Sequence, residues 1–160
     1  MLARVIRLVQ SNSIGRWFFS SDLFSWLIPS RSNEKERLGL QGEKLAAKYL
    51  RKLGYKIVAH SHRQRLGEID LIAIDQGVIV FVEVKTWRAD AAADPSEAVN
   101  SSKQEKLTRA ALIYLKQKNL LEHPARFDVV SIVLNDEIAK PQIRHFKSAF
   151  EAVGHGQMYR

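Results

Sequence analysis

Four charged residues interrupt two short apolar stretches. Glu68 and Asp70 stand in Gly67-Glu68-Ile69-Asp70-Leu71-Ile72-Ala73, and Glu83 and Lys85 in Val80-Phe81-Val82-Glu83-Val84-Lys85-Thr86. Between them lies Asp75-Gln76-Gly77, a turn signal. A hairpin with the two-residue loop Gln76-Gly77, the commonest length, pairs Asp75 with Val78. In that register Asp70 falls opposite Glu83, and Glu68 opposite Lys85. Side chains two apart share a face of a strand, so all four groups gather on one face at one end of an apolar hairpin. A three-residue loop would put Asp70 and Glu83 on opposite faces, so the arrangement rests on register.

Two carboxylates facing each other across a ladder repel. A divalent cation between them removes that repulsion. All-oxygen ligation suits Mg²⁺ or Mn²⁺, and Mg²⁺ commonly takes one or two protein carboxylates and keeps several waters. Such an ion polarises a phosphoryl oxygen and acidifies an attacking water. A lysine alongside orients or deprotonates that water and stabilises charge developing on the phosphate. Asp70, Glu83 and Lys85 are therefore candidate catalytic residues for phosphodiester hydrolysis, with Asp70 and Glu83 as metal ligands. The plainer alternative is a Glu68–Lys85 cross-strand ion pair, with Asp70 and Glu83 as solvated strand ends. A Glu-x-Lys tripeptide alone decides nothing.

The elements that position these residues follow from hydrophobic periodicity. From Glu34 to Leu53, Leu38, Leu45, Ala46, Tyr49, Leu50 and Leu53 recur with a helical period, and Gly54 supplies the stop. Strands are expected over Tyr55–Ala59, Ile69–Ile74 and Val78–Val84. The stretch from Thr86 to Asn100 reads as a loop, with a turn of helix after Pro95. A capping box, Ser102 with Glu105 three residues later, opens a helix to about Lys118. Phe127–Leu134 alternates like a strand, and Gln142–Phe146 is a final one. The order α-β-β-β-α-β-β predicts an α/β fold, a mixed central sheet flanked by helices. Residues 1–33 read as an N-terminal extension and 34–160 as the main domain. The extension pairs helical apolar spacing at Leu2, Val5, Ile6 and Val9 with the aromatics Trp17, Phe18, Phe19, Phe24 and Trp26. It is expected to be a poorly ordered or packed appendage. An interfacial amphipathic segment in which residues 1–30 contact a membrane, or an organellar transit peptide, is the alternative.

The whole chain has 160 residues, a formal net charge of +8 and no cysteine. That length supports a buried core without cross-links. The missing cysteine excludes a disulfide scaffold, a thiolate zinc finger and a cysteine nucleophile. No apolar stretch approaches the length of a membrane-spanning helix. Excess positive charge favours a polyanionic partner, nucleic acid first. Arg63, Arg65 and Arg88 flank the hairpin, and Lys103, Lys106 and Arg109 step along one side of the second helix. These six are candidate phosphate contacts, although a solvated helix face reads the same way. Trp87 is a packing residue in preference to a base-stacking one. His60 and His62 lack further ligands in the sequence and are set aside as a metal site.

The two stretches around Asp70 and Glu83 resemble the YraN family of bacterial endonuclease-like proteins. Gly42-Glu43, Ala46, Tyr49-Leu50, Gly54-Tyr55, Pro95, Glu97-Ala98-Val99, Lys103 and Arg126-Phe127-Asp128-Val129-Val130 extend the resemblance from about Leu38 to about Phe150. It implies a restriction-endonuclease-like fold similar to archaeal Holliday junction resolvases. It further implies that Asp70 and Glu83 bind metal, that Lys85 is the motif lysine, and that Glu43 is an additional acid approaching the metal. Glu68 takes a motif position as a supporting residue or a partner for Lys85. Ser61 stands where the family often has asparagine, and Trp87 separates Thr86 from Arg88 where the family usually reads Thr-Arg. The resulting expectation is a Mg²⁺- or Mn²⁺-dependent nuclease of the bacterial cytoplasm acting on DNA, branched or single-stranded, in preference to RNA. A homodimer is expected if the substrate is a four-way junction. The alternatives are a nucleic-acid-binding module without turnover and a membrane-surface adaptor acting through the N-terminal segment.

Overall fold

The computed structural model describes residues 34–64, 67–89, 99–135 and 140–153, without the side chains of 62–64 and 67. The expected extension and the turn after Pro95 lie outside these residues. Helix α1 spans Glu34–Lys52 and is followed by strands β1 (Lys56–Gln64), β2 (Gly67–Asp75) and β3 (Val78–Arg88). Helix α2 (Ser101–Gln117) then leads to β4 (Ala125–Leu134) and β5 (Gln142–Phe150). This is the expected α-β-β-β-α-β-β order, in an α/β fold with a five-stranded mixed sheet and two helices. The strands lie in the order β1-β2-β3-β4-β5. β3 and β4 are parallel, and the other neighbours are antiparallel. The parallel pair requires a crossover, which α2 supplies. No helix among the described residues is long and apolar enough to cross a membrane.

Each helix covers one face of the sheet. Ala46, Ala47 and Leu50 of α1 pack on Leu71, Ala73, Val80, Val82, Val130 and Ile132. Leu107, Ala110, Ala111, Tyr114 and Leu115 of α2 pack on Ile72, Ile74, Ile79, Phe81 and Phe127. Both faces of β2 and β3 are therefore buried, which is why their sequences run nearly continuously apolar. Between them, Gln76 and Gly77 have φ of 48° and 96°, as a two-residue turn with both central residues left-handed requires. That turn sets the pairing Asp75 to Val78 and its successors.

Helix α1 stops as Gly54 predicts. Gly54 has φ of 91°, its N–H donates to the Arg51 carbonyl, and the Tyr55 N–H reaches back to the Leu50 carbonyl. This is a Schellman cap. Leu53 falls in that turn and is exposed, outside the apolar stripe it was expected to join. Strands β1, β2, β3 and β5 all run longer than their apolar cores indicate. The polar ends His60–Gln64 and Thr86–Arg88 are held by ladder pairing to neighbouring strands. Helix α2 starts earlier than the capping box places it. Asn100 is the N-cap, its side chain accepting from the Lys103 N–H at 2.9 Å. Asparagine caps at least as well as serine, and it comes first in the chain.

A buried ionic network ties β2, β4 and β5 together and reaches Tyr55 just before β1. Asp128 of β4 is fully buried and accepts from Arg126, His145 and the Ser148 N–H. Arg126 also reaches Asp75 and the Tyr55 hydroxyl. Burial pushes the Asp128 carboxyl up, but His145, Arg126 and the Ser148 N–H outweigh it and hold it below its ordinary value.

Helix α1 meets the far end of β3 at Gly42. A Cβ placed there would lie 1.7 Å from the Thr86 hydroxyl oxygen. Only a residue without a side chain lets helix and strand come this close, and the approach carries Glu43 toward the sheet. Gly42→Ala should lower stability by about 2 kcal/mol, the overpacking term exceeding the gain in helix propensity. Thr86→Ala should recover most of that loss in the double variant. Urea unfolding of the four proteins measures both, and an unchanged midpoint in Gly42→Ala would refute the contact.

Candidate metal centre

The candidate site is where the sheet forks. Pairing between β2 and β3 runs from Asp75–Val78 to Leu71–Val82 and stops. Beyond that point β2 stays with β1 as far as Gly67, and β3 stays with β4 as far as Arg88. Asp70 and Glu83 are the first residues past the fork. The register is the expected one, but the ladder ends one pair short of placing these carboxylates as cross-strand partners. The Asp70 side chain occupies the gap: its Oδ2 accepts from the Val84 N–H at 2.6 Å. Glu68 likewise lies opposite Arg63 of β1, not opposite Lys85.

Glu83 is 3% exposed, and its two oxygens are treated differently. Oε1 carries two ammonium groups, Lys85 Nζ at 2.9 Å and Lys103 Nζ at 3.1 Å. Oε2 is buried and has no hydrogen-bond partner among the described residues. An unpaired buried carboxylate oxygen is costly unless something else meets it. Lys103 comes from the first turn of α2, so the crossover helix brings its N-terminus over the end of the sheet.

Glu43 bears on the site from α1 through its charge. Its Oε2 accepts from the Ser61 hydroxyl at 2.5 Å. Ser61 lies in β1 with φ of 42°, a left-handed conformation within a strand. Nothing in the local sequence marks Ser61 for this contact. Burial first, then the charge of Glu83, and after the opposing Val84 N–H that of Glu43, set the Asp70 carboxyl; it is pushed up to about 7.

The donor set fits a hard divalent cation. It offers Asp70 and Glu83 from adjacent strands, with a buried oxygen on Glu83 left over for a ligand. Among the described residues, no three acidic or histidine side chains converge as a ready cage. A Mg²⁺ site of two carboxylates completed by water needs no third. Mg²⁺ or Mn²⁺ held there would touch Asp70 and Glu83, with Glu43 turned toward Ser61.

The candidate phosphate contacts divide. Lys103 lies in the site, on Glu83, a role that its helical spacing with Lys106 and Arg109 does not distinguish. Lys106 and Arg109 are exposed on α2. Arg88 pairs with Glu34 of α1 at 3.4 Å. The side chain of Arg63 and the whole of Arg65 lie outside the described residues, as does the side chain of His62. His60 contacts Arg51, and burial with that neighbouring charge holds its imidazole below the usual value.

The chain is similar in sequence to known proteins. The family model described as "Uncharacterised protein family UPF0102" matches residues 42–132, from Gly42 of α1 to Ile132 of β4. A UPF0102 protein of Geotalea uraniireducens is 48% identical over 118 residues, covering 74% of this chain and 92% of the relative. One of Rhodopirellula baltica is 45% identical over 130 residues, covering 79% and 78%. One of Caldanaerobacter subterraneus subsp. tengcongensis is 42% identical over 117 residues, covering 72% and 96%.

The raised Asp70 carboxyl has a stability consequence. Its folded pKa, about 7, lies above the unfolded reference of 3.8. The folded chain therefore binds the proton more tightly, and stability falls as pH rises from about 4 through 7. Asp70→Asn keeps an acceptor for the Val84 N–H and never ionises. In metal-free buffer it should melt about 5 °C above the wild type at pH 8, with the gap closing near pH 4. Thermal melts at both pH values measure this, and a variant no more stable than wild type at pH 8 would contradict it.

Proposed function

This chain belongs to the UPF0102 family, which is the YraN family, and from that premise we propose that it is a metal-dependent nuclease hydrolysing phosphodiester bonds in DNA. One observation carries the proposal: Asp70 and Glu83 meet at the sheet fork with a buried Glu83 oxygen unpartnered and Lys85 alongside. Two neighbouring carboxylates and a lysine are the donor set that hard-metal phosphodiester chemistry needs.

In this mechanism Asp70 and Glu83 would hold the cation from adjacent strands. When bound, it would supply Lewis-acid polarisation of a phosphoryl oxygen and a more acidic water. Lys85 orients that water and stabilises negative charge that builds on the phosphate. Water oxygen bonds to phosphorus and gives up a proton to solvent, one ester P–O bond breaks, and the departing oxygen takes up a proton from solvent. Glu43, fixed by Ser61, adds negative charge behind Asp70 and strengthens the attraction for a cation. Lys106 and Arg109 meet backbone phosphates, a contact that fixes register without reading sequence. The chain's excess positive charge favours a polyanionic partner, which we take to be DNA of the bacterial cytoplasm. A four-way junction would call for a symmetric dimer, since it offers two related strands.

Labelled linear, single-stranded, flapped and four-way DNA should be cut in the presence of Mg²⁺ or Mn²⁺ and left intact in EDTA. Asp70→Asn and Lys85→Ala should each lower the rate at least about 100-fold. Gel assays on the purified proteins measure this. Salt-sensitive binding with no cleavage of any DNA would instead make the chain a nucleic-acid-binding module without turnover.

A further inference from the structure

We propose that Lys103 is an exchangeable counter-ion: it neutralises Glu83 while no divalent cation is bound and transfers to a nucleic-acid phosphate when one is. This rests on the reading of Asp70 and Glu83 as metal ligands. Three observations about Lys103 lead to it.

The first is that two ammonium groups share one oxygen. Glu83 Oε1 takes both Lys85 and Lys103. A divalent cation arriving at Glu83 brings two more positive charges beside them, and the repulsion moves one ammonium away. Lys85 is tied to the same strand, two residues from Glu83. Lys103 belongs to another element. Both side chains are about one third exposed, so either ammonium can reach solvent, but only Lys103 can leave without vacating the place beside the attacking water that Lys85 holds.

The second is its place on α2. Lys103 sits in the first helical turn, which contains no acid. The positive end of a helix favours anions and disfavours a cation. Glu83 offsets that disfavour in the metal-free protein. Once a metal occupies Glu83, the helix field also pushes the ammonium outward, toward any anion that approaches. The third is direction. Lys106 and Arg109 follow at three-residue spacing and are exposed. Residues at that spacing neighbour one another on a helix surface. A released Lys103 therefore completes a row of three cations beginning at the metal site and suited to successive phosphates.

The test compares wild type, Lys103→Met and Lys103→Arg. Mn²⁺ binding is measured by calorimetry without DNA. Binding of labelled single-stranded and four-way DNA is measured by anisotropy in EDTA and in Ca²⁺. Lys103→Met should bind Mn²⁺ about tenfold more tightly than wild type, because a competing cation is gone. Its DNA affinity should fall at least about threefold further in Ca²⁺ than in EDTA, where the wild-type ammonium is still held by Glu83. Lys103→Arg keeps charge and reach and should track wild type in both. Unchanged or weaker Mn²⁺ binding by Lys103→Met overturns the exchange, as does an equal DNA loss with and without Ca²⁺. A wild type that binds no Mn²⁺ overturns the metal centre itself and the exchange with it, so the wild-type titration tells the two failures apart.

Discussion

Like charges held together out of water must be answered, and the fork between β2 and β3 holds two of them. Asp70 and Glu83 enter adjacent strands just where the ladder between those strands ends. Their repulsion and desolvation are met from four directions. The Val84 N–H turns to Asp70, Lys85 reaches Glu83 along its own strand, Lys103 reaches it from α2, and Asp70 itself titrates near neutrality. Helix placement follows from the same constraint. The first turn of α2 has to lie over the sheet end for Lys103 to arrive. On the other face Gly42 lets α1 press against Thr86, and Glu43 then adds a third negative charge.

The sheet contains a second buried acid, and the contrast with it is informative. Asp128 is as hidden as Glu83, but both of its oxygens are occupied by Arg126, His145 and the Ser148 N–H. A fully satisfied buried charge fixes strands in place and asks for nothing more. Glu83 has one oxygen shared by two ammonium groups and the other with no partner among the described residues. The proposed metal site rests on that asymmetry, whereas Asp128 completes the fold. The two acids lie nearly level on neighbouring strands, Asp128 beside Val82, but face opposite sides of the sheet, Asp128 toward α1 and Glu83 toward α2, so the structural network leaves the fork undisturbed.

Local signals in the sequence determine much of this. Gln76-Gly77 dictates the hairpin register because few residue pairs adopt two successive left-handed conformations. Gly54 dictates the end of α1 for the same reason. The apolar runs of β2 and β3 report burial on both faces. The fork is not legible, because it depends on which outer partner each strand keeps, β1 for β2 and β4 for β3. Pairing Asp70 directly with Glu83 therefore overextends a correct register. The Asn100 cap pre-empts a good capping box two residues later, a competition that composition alone does not rank. Glu43 looks like any solvated helix acid, and only the family resemblance singles it out. Its partner Ser61 stands out only as a departure from the family's asparagine, and its contact with Glu43 is not legible, since a left-handed serine within a strand is set by tertiary contacts. Lys103 did leave a trace: a lysine in a first helical turn opposes the helix dipole and calls for a nearby acid.

The central claim is that a hard divalent cation binds between Asp70 and Glu83. Crystals soaked in Mn²⁺ and measured at a wavelength where manganese scatters anomalously would locate the ion directly. A single anomalous peak bonded to the Asp70 carboxyl and to Glu83 Oε2, with water completing its shell, is the predicted result. An empty fork, or manganese bound only elsewhere with Glu83 Oε2 still unpartnered, would contradict it.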